Sequence, residues 1–341
     1  MALGVRAAAW PWIARRRGLW VPLALPALVG YLERERPDVL LASSLPANLT
    51  AIAAVACSRH RPGVVLTLNL HTSARLAALG LPGRLLGPLV RSAWRRADAL
   101  VAISAGVAED ARSFLAPRVP PLYTVFNPID GAAVRARAAA EPAVPLPERR
   151  PLVVACGKLE AQKDFPTLLR AFADLRRVMP ASLVILGEGS QRRRLERLAA
   201  ELGLAEDVRF AGWLDNPFAV MARADLFVHA SRFEGLSNVL LEALALGLPI
   251  VATDCPSGPR ELLDHGRFGL LVPPRDAQAL AEGMRTVLLH PPDRQALRRR
   301  AEEFTVERAA AGYLAAIVRA AGRRGATNRA VLLGRRGVPS G

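Results

Sequence analysis

The sequence predicts an α/β protein with two doubly wound parallel sheets. Short apolar segments typical of strands alternate with helical segments through residues 38–130 and again from residue 151, a pattern typical of parallel sheets covered by helices. A chain of 341 residues with 51% apolar side chains is long enough for two domains, each with its own core. The runs RADALVAIS (96–104) and RADLFVHAS (223–231) share one spacing, which indicates equivalent strand and loop units in the two halves.

The first 36 residues have a basic start and an apolar stretch, RRRGLWVPLALPALVGYL, which in outline is like a signal peptide. The apolar run is about 15 residues long and contains prolines, so it is too short and too broken to span a membrane. We expect a helix that packs on the first domain. Contact of its Trp and Arg side chains with the membrane surface is a second hypothesis.

The first domain is predicted to extend over residues 1–130. Its segments alternate as strands at 38–43, 64–69, 98–104 and 121–127 and helices at 47–58, 83–97 and 105–115. Ser104, a residue type favoured at helix N-caps, immediately precedes the last of these helices. Because helices separate the strands, the strands are expected to run parallel.

Residues 131–150 are rich in Ala, Pro and Arg without periodicity, so they are predicted to be a linker. A second domain is predicted over residues 151–304. It contains strands at 151–157, 183–189, 208–212, 225–230 and 249–253, and helices at 276–289 and 292–304. We expect a last helix over 305–322 that crosses back to the first domain, followed by a disordered tail over 323–341.

The segment formed by residues 225–247 is predicted to be a strand, a polar loop and a helix. The helix begins near Ser237 and Asn238, both favoured N-cap types, and Gly247 is expected to end it. The first amides of a helix lack internal acceptors, and Gly235 lets the backbone approach a ligand closely. The segment therefore suits binding of an anion.

Two glutamates flank this predicted anion site. Glu234 lies at the carboxyl end of the strand, where open parallel sheets bind ligands, and Glu242 lies eight residues later in the helix. This spacing alone excludes a tight acid/base pair and favours two hydroxyl binders beside a phosphate. The alternative interpretation is that Glu242 is a surface residue of the helix and Glu234 a loop charge.

The chain carries a net charge of +16, but its basic residues are 44 arginines and only two lysines. Both lysines, Lys158 and Lys163, fall in one loop after a strand, which favours a site that needs compact positive charges. The basic character fits an anionic membrane surface or a diphosphate substrate. With only 5% aromatic residues and no aromatic-rich binding motif, a nucleic-acid partner is not expected.

The three cysteines, Cys57, Cys156 and Cys255, are far apart and show no metal-binding spacing. We expect reduced thiols that serve as small core residues, and no metal site.

The run from Glu234 to Glu242, followed by EALALGLPIVAT, resembles the paired-glutamate motif of the retaining family-4 glycosyltransferases. The resemblance extends to bacterial members that build lipid-linked oligosaccharides and surface polysaccharides. It is carried further by GKLEAQKDFPTLLRAF, LVILGEGSQRRRL, VRFAGWLDNPF, TDCPSGPREL and FGLLVPP, in the family's order. It implies a GT-B fold, in which two Rossmann-like domains face a cleft.

The resemblance also implies roles for individual residues. Lys158 and Lys163 match the basic pair that binds the donor diphosphate, although the first position is usually Arg. The phosphate cradle is completed by backbone at Gly157, Gly235, Leu236, Ser237 and Asn238.

By the same resemblance, Glu242 matches the glutamate that binds the ribose hydroxyls, and Glu234 matches the one near the donor sugar. His71, at the end of a first-domain strand, matches a histidine beside that sugar. His229 lies inside an apolar strand and is instead predicted to be a core residue.

The expected function is metal-independent, retaining transfer of a sugar, with a UDP-sugar as the expected donor, to a polysaccharide or polyprenyl-linked acceptor, with no cofactor. The sequence contains no Asp-X-Asp motif of the kind that holds a metal against a diphosphate. The predicted location is the cytoplasm, with peripheral contact at the inner membrane face as a further hypothesis.

The resemblance departs at the start of the chain, where no Gly-rich loop precedes DVLLAS. We therefore expect an N-terminally incomplete first domain. The first rival is a truncated, inactive nucleotide-sugar-binding protein. Two other rivals are a basic nucleic-acid binder and a sugar-nucleotide epimerase of the same clamp fold.

Overall fold

The computed structural model describes residues 20–148 and 150–322. The predicted membrane contact of Trp and Arg side chains before residue 20 and the predicted tail over 323–341 lie outside the described residues. The described chain divides into two units. The first contains residues 20–103, 107–125 and 310–322, and the second contains residues 104–106 and 126–309.

The first unit is built around a four-stranded parallel sheet with the strand order β1-β2-β3-β4. Its elements are α1 (Trp20–Glu35), β1 (Val39–Ser43), α2 (Leu45–Cys57), β2 (Gly63–Leu68), α3 (Thr72–Ala78), α4 (Leu81–Trp94), β3 (Ala99–Ala102), α5 (Ala105–Leu115) and β4 (Leu122–Thr124). The strands cross this sheet in chain order. β2 and β3 are buried along their whole length, as expected for strands covered on both faces.

The predicted helix over 83–97 begins earlier and is preceded by a helix that the sequence did not reveal. Gly80 has φ 63 and separates α3 from α4, a backbone conformation that glycine adopts readily. The two helices then pack closely, since a Cβ on Gly83 would lie 1.9 Å from the carbonyl oxygen of Leu76.

The second unit contains a six-stranded parallel sheet. Its elements are α6 (Gly131–Ala138), β5 (Leu152–Cys156), α7 (Phe165–Val178), β6 (Ser182–Leu186), α8 (Arg192–Glu201), β7 (Val208–Gly212), α9 (Phe218–Met221), β8 (Leu226–His229), α10 (Asn238–Leu246), β9 (Ile250–Thr253), α11 (Pro259–Leu262), β10 (Leu270–Val272), α12 (Ala277–Leu289), α13 (Arg294–Ala301) and α14 (Val306–Gly322). The last of these, from residue 310 onward, belongs to the first unit. There, a Cβ on Gly312 would lie 2.6 Å from the Val125 side chain.

The strand order of this second sheet is β10-β9-β8-β5-β6-β7. The chain moves outward from β5 through β6 to β7, returns to the other side of β5 with β8, and continues outward to β10. This reversal is the mark of a doubly wound sheet, and it places a switch point between β5 and β8, which pair in parallel. Ligands of such sheets bind beyond the carboxyl ends of the strands at the switch point.

The predicted linker over 131–150 contains the helix α6. Asp130 caps it by accepting a 2.8 Å hydrogen bond from the Ala133 amide, and Val134 and Ala138 are buried. Small alanine side chains hide the apolar periodicity of a helix, so the sequence pattern favoured a linker there.

None of the described helices has the length and apolar character that crossing a bilayer would require.

Candidate functional site

The candidate site lies at the switch point of the second sheet, where two neighbouring strands end. Cys156 ends β5 and leads into the loop that carries Lys158 and Lys163, while His229 ends β8 and leads towards Glu234. The fold therefore brings the lysine loop and the glutamate loop to one edge of the sheet, although 71 positions separate Lys163 from Glu234.

A hydrogen-bonded cluster surrounds the carboxylate of Glu234, which is buried. Its Oε1 atom accepts hydrogen bonds from Lys163 Nζ at 2.5 Å and from Ser231 Oγ at 2.6 Å. The Nε2 atom of His229 lies 3.3 Å from the same oxygen, 3.1 Å from Ser231 Oγ and 3.0 Å from Ser237 Oγ. A buried carboxylate is therefore held by one cation and by neutral hydrogen-bond donors.

The charge states of this cluster follow from these contacts. Burial alone would raise the pKa of Glu234, but the hydrogen bond with His229 and the charge of Lys163 outweigh burial and lower this pKa to about 2. Burial lowers the pKa of His229, so this imidazole is neutral. The tautomer with hydrogen on Nε2 can donate to the charged carboxylate, and among the described residues His229 Nδ1 has no hydrogen-bond partner.

The loop that carries Glu234 is anchored on both sides. Five hydrogen bonds hold it to the lysine loop and to the end of β9 with the segment that follows: Arg232 N to Gln162 O (2.8 Å), Gln162 Nε2 to Phe233 O (2.8 Å), Arg232 Nη2 to Asp164 Oδ1 (2.8 Å), Glu234 N to Pro256 O (3.2 Å) and Thr253 Oγ1 to Ser231 O (2.6 Å). These bonds connect the loop to two other chain segments and fix the carboxylate independently of any ligand.

Helix α10 begins next to this cluster, because its N-cap residue Ser237 contacts His229. Ser237 occupies the N-cap position with φ 81, but its hydroxyl contacts His229 and makes no capping hydrogen bond. No acceptor in the described part of the chain takes a hydrogen bond from the amides of Leu236, Ser237 or Asn238. Three free amides at a helix N-terminus form an anion-binding arrangement.

Glu242 lies half-buried on α10, one turn beyond the start of the helix. Burial raises the pKa of Glu242 to about 7, and the charge of Arg137 offsets this only in part. Its carboxylate has no hydrogen-bond partner among residues 20–148 and 150–322. This carboxylate is therefore available to accept hydrogen bonds from a ligand.

Cys156 lies between the two groups of residues. Burial and, to a smaller extent, the charge of Glu242 raise the pKa of the Cys156 thiol to about 12, although the charge of Lys163 lowers it in part. The thiol is therefore neutral at physiological pH.

The remaining residues of the lysine loop are placed differently from Lys163. Lys158 is exposed. Gly157 donates its amide to Leu186 O at 2.9 Å, and the chain passes so close to it that a Cβ on Gly187 would lie 2.1 Å from Gly157 O. Gly235 is buried, whereas Asn238 is exposed and accepts a 2.8 Å hydrogen bond from Asn127 Nδ2.

His71 belongs to the first unit and lies between β2 and α3. Its Nδ1 atom is 3.3 Å from Asp110 Oδ1 and 3.4 Å from the amide nitrogen of Ala74. The shorter contact, to a carboxylate, favours hydrogen on Nδ1, which leaves Nε2 as an acceptor. The other oxygen of Asp110 accepts from the Thr72 amide at 2.6 Å and from the Ser73 amide at 3.2 Å, so one buried aspartate orients both the helix start and the imidazole.

Sequence reasoning missed three members of these clusters. His229 is buried in its strand, as predicted, but it also contacts Glu234 and both serines, so it is more than a core residue. Ser231 could have been found from the period of a strand, because residues 229 and 231 fall on one side. Asp110 gave no signal, since its contact with His71 depends on how α5 packs.

No group of three or more His, Cys, Asp or Glu side chains that could hold a metal ion occurs within the described ranges.

Comparisons with known proteins identify relatives of both halves. The family described as glycosyl transferases group 1 matches residues 137–304, and the one described as Glycosyltransferase Family 4 matches residues 2–132. The chain is 31% identical over 286 residues to the lipopolysaccharide core biosynthesis glycosyltransferase LpsE of Rhizobium meliloti, covering 83% of this chain and 75% of the relative.

A second relative is the N-acetylgalactosamine-N,N'-diacetylbacillosaminyl-diphospho-undecaprenol 4-alpha-N-acetylgalactosaminyltransferase of Campylobacter jejuni. It is 34% identical over 200 residues, which cover 59% of this chain and 53% of the relative. The match thus spans about half the length of the Campylobacter protein.

Two solved structures share the fold. The lipopolysaccharide outer core galactosyltransferase WaaB in its apo form has a TM-score of 0.64 at 22% identity, over 88% of this chain and 80% of its own. Anabaena Alr3699/HepE in complex with UDP has a TM-score of 0.67 at 19% identity, over 90% and 82%. At these identities the likeness confirms the fold class, GT-B.

Proposed function

The chain belongs to the group 1 glycosyltransferases, and from this premise we propose that it is a retaining enzyme that transfers a sugar from a UDP-sugar to a lipid-linked or polysaccharide acceptor. The observation that carries the proposal is the Lys163–Glu234 pair beside the free amides of residues 236–238. This arrangement combines a cation, helix amides and an ionised carboxylate at the switch point, where a nucleotide diphosphate and its sugar need them.

The diphosphate is bound by positive charge from two sources. Lys163 and the exposed Lys158 supply ammonium groups, and the amides of Leu236, Ser237 and Asn238 supply fixed dipoles. Glycine at positions 157 and 235 allows close approach of the backbone. When the bond between the anomeric carbon and the phosphate oxygen breaks, negative charge grows on the leaving UDP, and preorganised charges stabilise it without a metal or other cofactor.

The carboxylates bind hydroxyl groups. Glu242 accepts from the ribose, and Glu234 accepts from the donor sugar with the oxygen that remains free of Lys163. The low pKa of Glu234 keeps it ionised throughout the physiological range, so it acts as an acceptor and does not supply a proton. His71, oriented by Asp110, offers Nε2 to the donor sugar.

In the retaining reaction, the acceptor hydroxyl approaches from the face that the diphosphate leaves. A new bond forms between its oxygen and the anomeric carbon, and its proton passes to an oxygen of the leaving diphosphate. The names of the relatives support a lipid-linked or lipopolysaccharide acceptor, because they describe a diphospho-undecaprenol glycosyltransferase and a lipopolysaccharide core enzyme. For an acceptor of this kind, the proposed place of action is the inner face of the membrane.

The test is transfer by the full chain from a panel of UDP-, GDP- and ADP-sugars to a detergent-solubilised lipid-linked acceptor. We expect nucleotide release from a UDP-sugar that requires the acceptor, an α-linked product by NMR, and undiminished activity in EDTA. Release by Glu234→Ala should fall at least tenfold. A β-linked product from an α-linked donor contradicts the retaining mechanism, and loss of activity in EDTA contradicts metal independence.

A further inference from the structure

Helix α4 of the first unit presents a row of leucines to solvent. Leu81, Leu85 and Leu89 are 68%, 74% and 57% exposed, and we call these three side chains the leucine face. Residues four apart lie above one another on a helix, so the three side chains form one continuous stripe. Leu79, just before the helix, is also exposed.

The rest of α4 already supplies the contacts that hold this helix on its unit. Val90, Ala93 and Trp94 are buried on the opposite side, and Gly83 packs against α3. The leucine face is therefore additional to the core. Isolated exposed leucines are common on protein surfaces, but a contiguous row of them marks an interaction site.

The chain segment that contains the leucine face carries only basic charges. Residues 72–97 include no Asp or Glu and contain five arginines, at positions 75, 84, 91, 95 and 96. Arg75 and Arg84 are exposed and make no ion pair within residues 20–148 and 150–322. Arg91 lies over the Phe114 ring at 5.0 Å, and Arg95 donates to the carbonyl oxygen of Leu115, so these two are already committed to the unit.

We propose that the leucine face, with Arg75 and Arg84 beside it, binds a bilayer surface that contains anionic phospholipids. The leucines enter the boundary between headgroups and acyl chains, and the guanidinium groups bind lipid phosphates. Helix α4 thus acts as an interfacial helix that lies in the plane of the membrane. None of these residues belongs to the proposed donor site.

Charge decides between a membrane and a second copy of the chain. A symmetric dimer through this face would bring two sets of arginines together without any acidic partner from residues 72–97. An anionic bilayer supplies an apolar phase for the leucines and negative charge for the arginines.

The inference rests on the proposed function for its purpose, because a lipid-linked acceptor has to be reached at the membrane. His71 is the N-cap residue of helix α3, which leads to the leucine face, so the docking surface and this candidate residue are joined within one unit. Docking itself requires no catalysis and can be measured separately.

The experiment is co-sedimentation of the full chain with vesicles of phosphatidylcholine alone or with phosphatidylglycerol at about 30%. We expect binding to the anionic vesicles only. The triple variant Leu81→Gln, Leu85→Gln, Leu89→Gln should lower the vesicle partition coefficient at least tenfold. Arg75→Gln with Arg84→Gln should lower it about 25-fold at low salt, at about fivefold for each of the two charges, and less at high salt.

Matched controls remove equally exposed groups elsewhere. Val178→Gln with Trp213→Gln and Leu289→Gln changes three exposed apolar residues of the second unit, and Arg193→Gln with Arg194→Gln removes two exposed charges of α8. Both should bind anionic vesicles within twofold of the unchanged chain. Affinity for UDP should be unchanged in all variants, which shows that they fold.

Several results would overturn the proposal. These are equal binding by the leucine variant and the unchanged chain, equal loss in the second-unit controls, or binding independent of lipid charge. A solution dimer that the leucine variant dissociates, without vesicle binding by the unchanged chain, would make a second copy the occupant. A different result separates the two proposals. If the unchanged chain binds anionic vesicles but transfers no sugar, and the leucine variant does not bind the vesicles, the proposed function is contradicted and the docking surface is supported.

Discussion

At the scale of single residues, the candidate site depends on how a buried carboxylate is kept ionised. Burying Glu234 away from water disfavours its charge, and the contacts with Lys163, His229 and Ser231 reverse that effect. Two lysines that are alike in sequence thus have different environments, since Lys163 is paired with Glu234 and Lys158 is exposed. This difference separates their effects on stability from their effects on binding.

Lys163→Met should destabilise the protein by about 3 kcal/mol, because it leaves a buried carboxylate without its cation. Lys158→Met should change the free energy of unfolding by less than about 0.5 kcal/mol. Each variant should weaken UDP binding about tenfold or more, since each removes a charged hydrogen-bond donor to phosphate. Urea unfolding and calorimetric titration with UDP measure the two effects. If Lys158→Met binds UDP as tightly as the unchanged chain, Lys158 has no role in donor binding.

We assign His229 a positioning role, because its buried imidazole contacts the carboxylate of Glu234. We expect His229→Leu to lower kcat about tenfold and to leave KM for the donor within about twofold. A small displacement of the Glu234 carboxylate is enough to lower the rate by this amount. Without the hydrogen bond, the pKa of Glu234 rises, so the acid limb of the pH–rate profile should move to higher pH. His229→Gln, which retains a hydrogen-bond donor, should restore much of kcat and of the original pH–rate profile. A pH profile unchanged in His229→Leu would assign the imidazole to packing alone.

The ionised carboxylate of Glu242 should lower the stability of the protein and strengthen donor binding. Its folded-state pKa, about 7, lies above the ordinary value of 4.5, so ionisation destabilises the fold as the pH rises through 7. Glu242→Gln should therefore raise the free energy of unfolding by about 1–3 kcal/mol at pH 8, and the gain should be small near pH 4.5.

The same variant should weaken UDP binding at pH 8, where the unchanged chain offers an ionised acceptor to the ribose. Urea unfolding at both pH values and titration with UDP provide the measurements, and comparing the two chains cancels the ionisation of UDP itself. A variant that binds UDP normally while gaining stability would show that Glu242 is not the ribose binder.

At the scale of elements, the start of α10 is shaped by its neighbour α11. Gly258 has φ 89, and a Cβ there would lie 2.3 Å from the carbonyl oxygen of Leu236. Leu236 supplies one of the free amides, so Gly258 fixes the position of the proposed phosphate cradle. Gly203 provides a comparison, because it has φ 73 and a Cβ there would meet no atom within 4 Å.

Gly258→Ala should weaken UDP binding at least tenfold and destabilise the protein by about 2–3 kcal/mol, through both strain and displacement of residue 236. Gly203→Ala should cost about 1 kcal/mol from its backbone conformation alone and leave UDP affinity unchanged. Equal UDP affinities in the two variants would show that the cradle does not depend on this contact.

Elements with strong local signals were predictable from the sequence, and those that depend on packing were not. The segment from β8 to α10 was predicted closely, because an apolar strand, a polar loop and Gly247 at φ 70 mark its boundaries. Helix α6 was missed, since its alanines carry little apolar periodicity, although Asp130 was a usable N-cap signal. In the site, the glutamates were visible from their motif, but the contact of Lys163 with Glu234 depends on the order of strands in the sheet.

At the scale of the whole molecule, membership in the group 1 glycosyltransferases and the GT-B fold agree with what the motifs predicted. The strand order reverses at β5 in the second unit, and the candidate donor site lies at that reversal. The fold class followed from the alternation of strands and helices, whereas the strand order could not, because several orders satisfy the same alternation.

The most direct test of the donor-site account is a crystal structure of the full chain with UDP bound. We predict that the pyrophosphate lies within hydrogen-bond distance of Lys163 Nζ and the amides of residues 236–238, with the ribose hydroxyls on Glu242. A pyrophosphate bound elsewhere, or a ribose that does not contact Glu242, would contradict it.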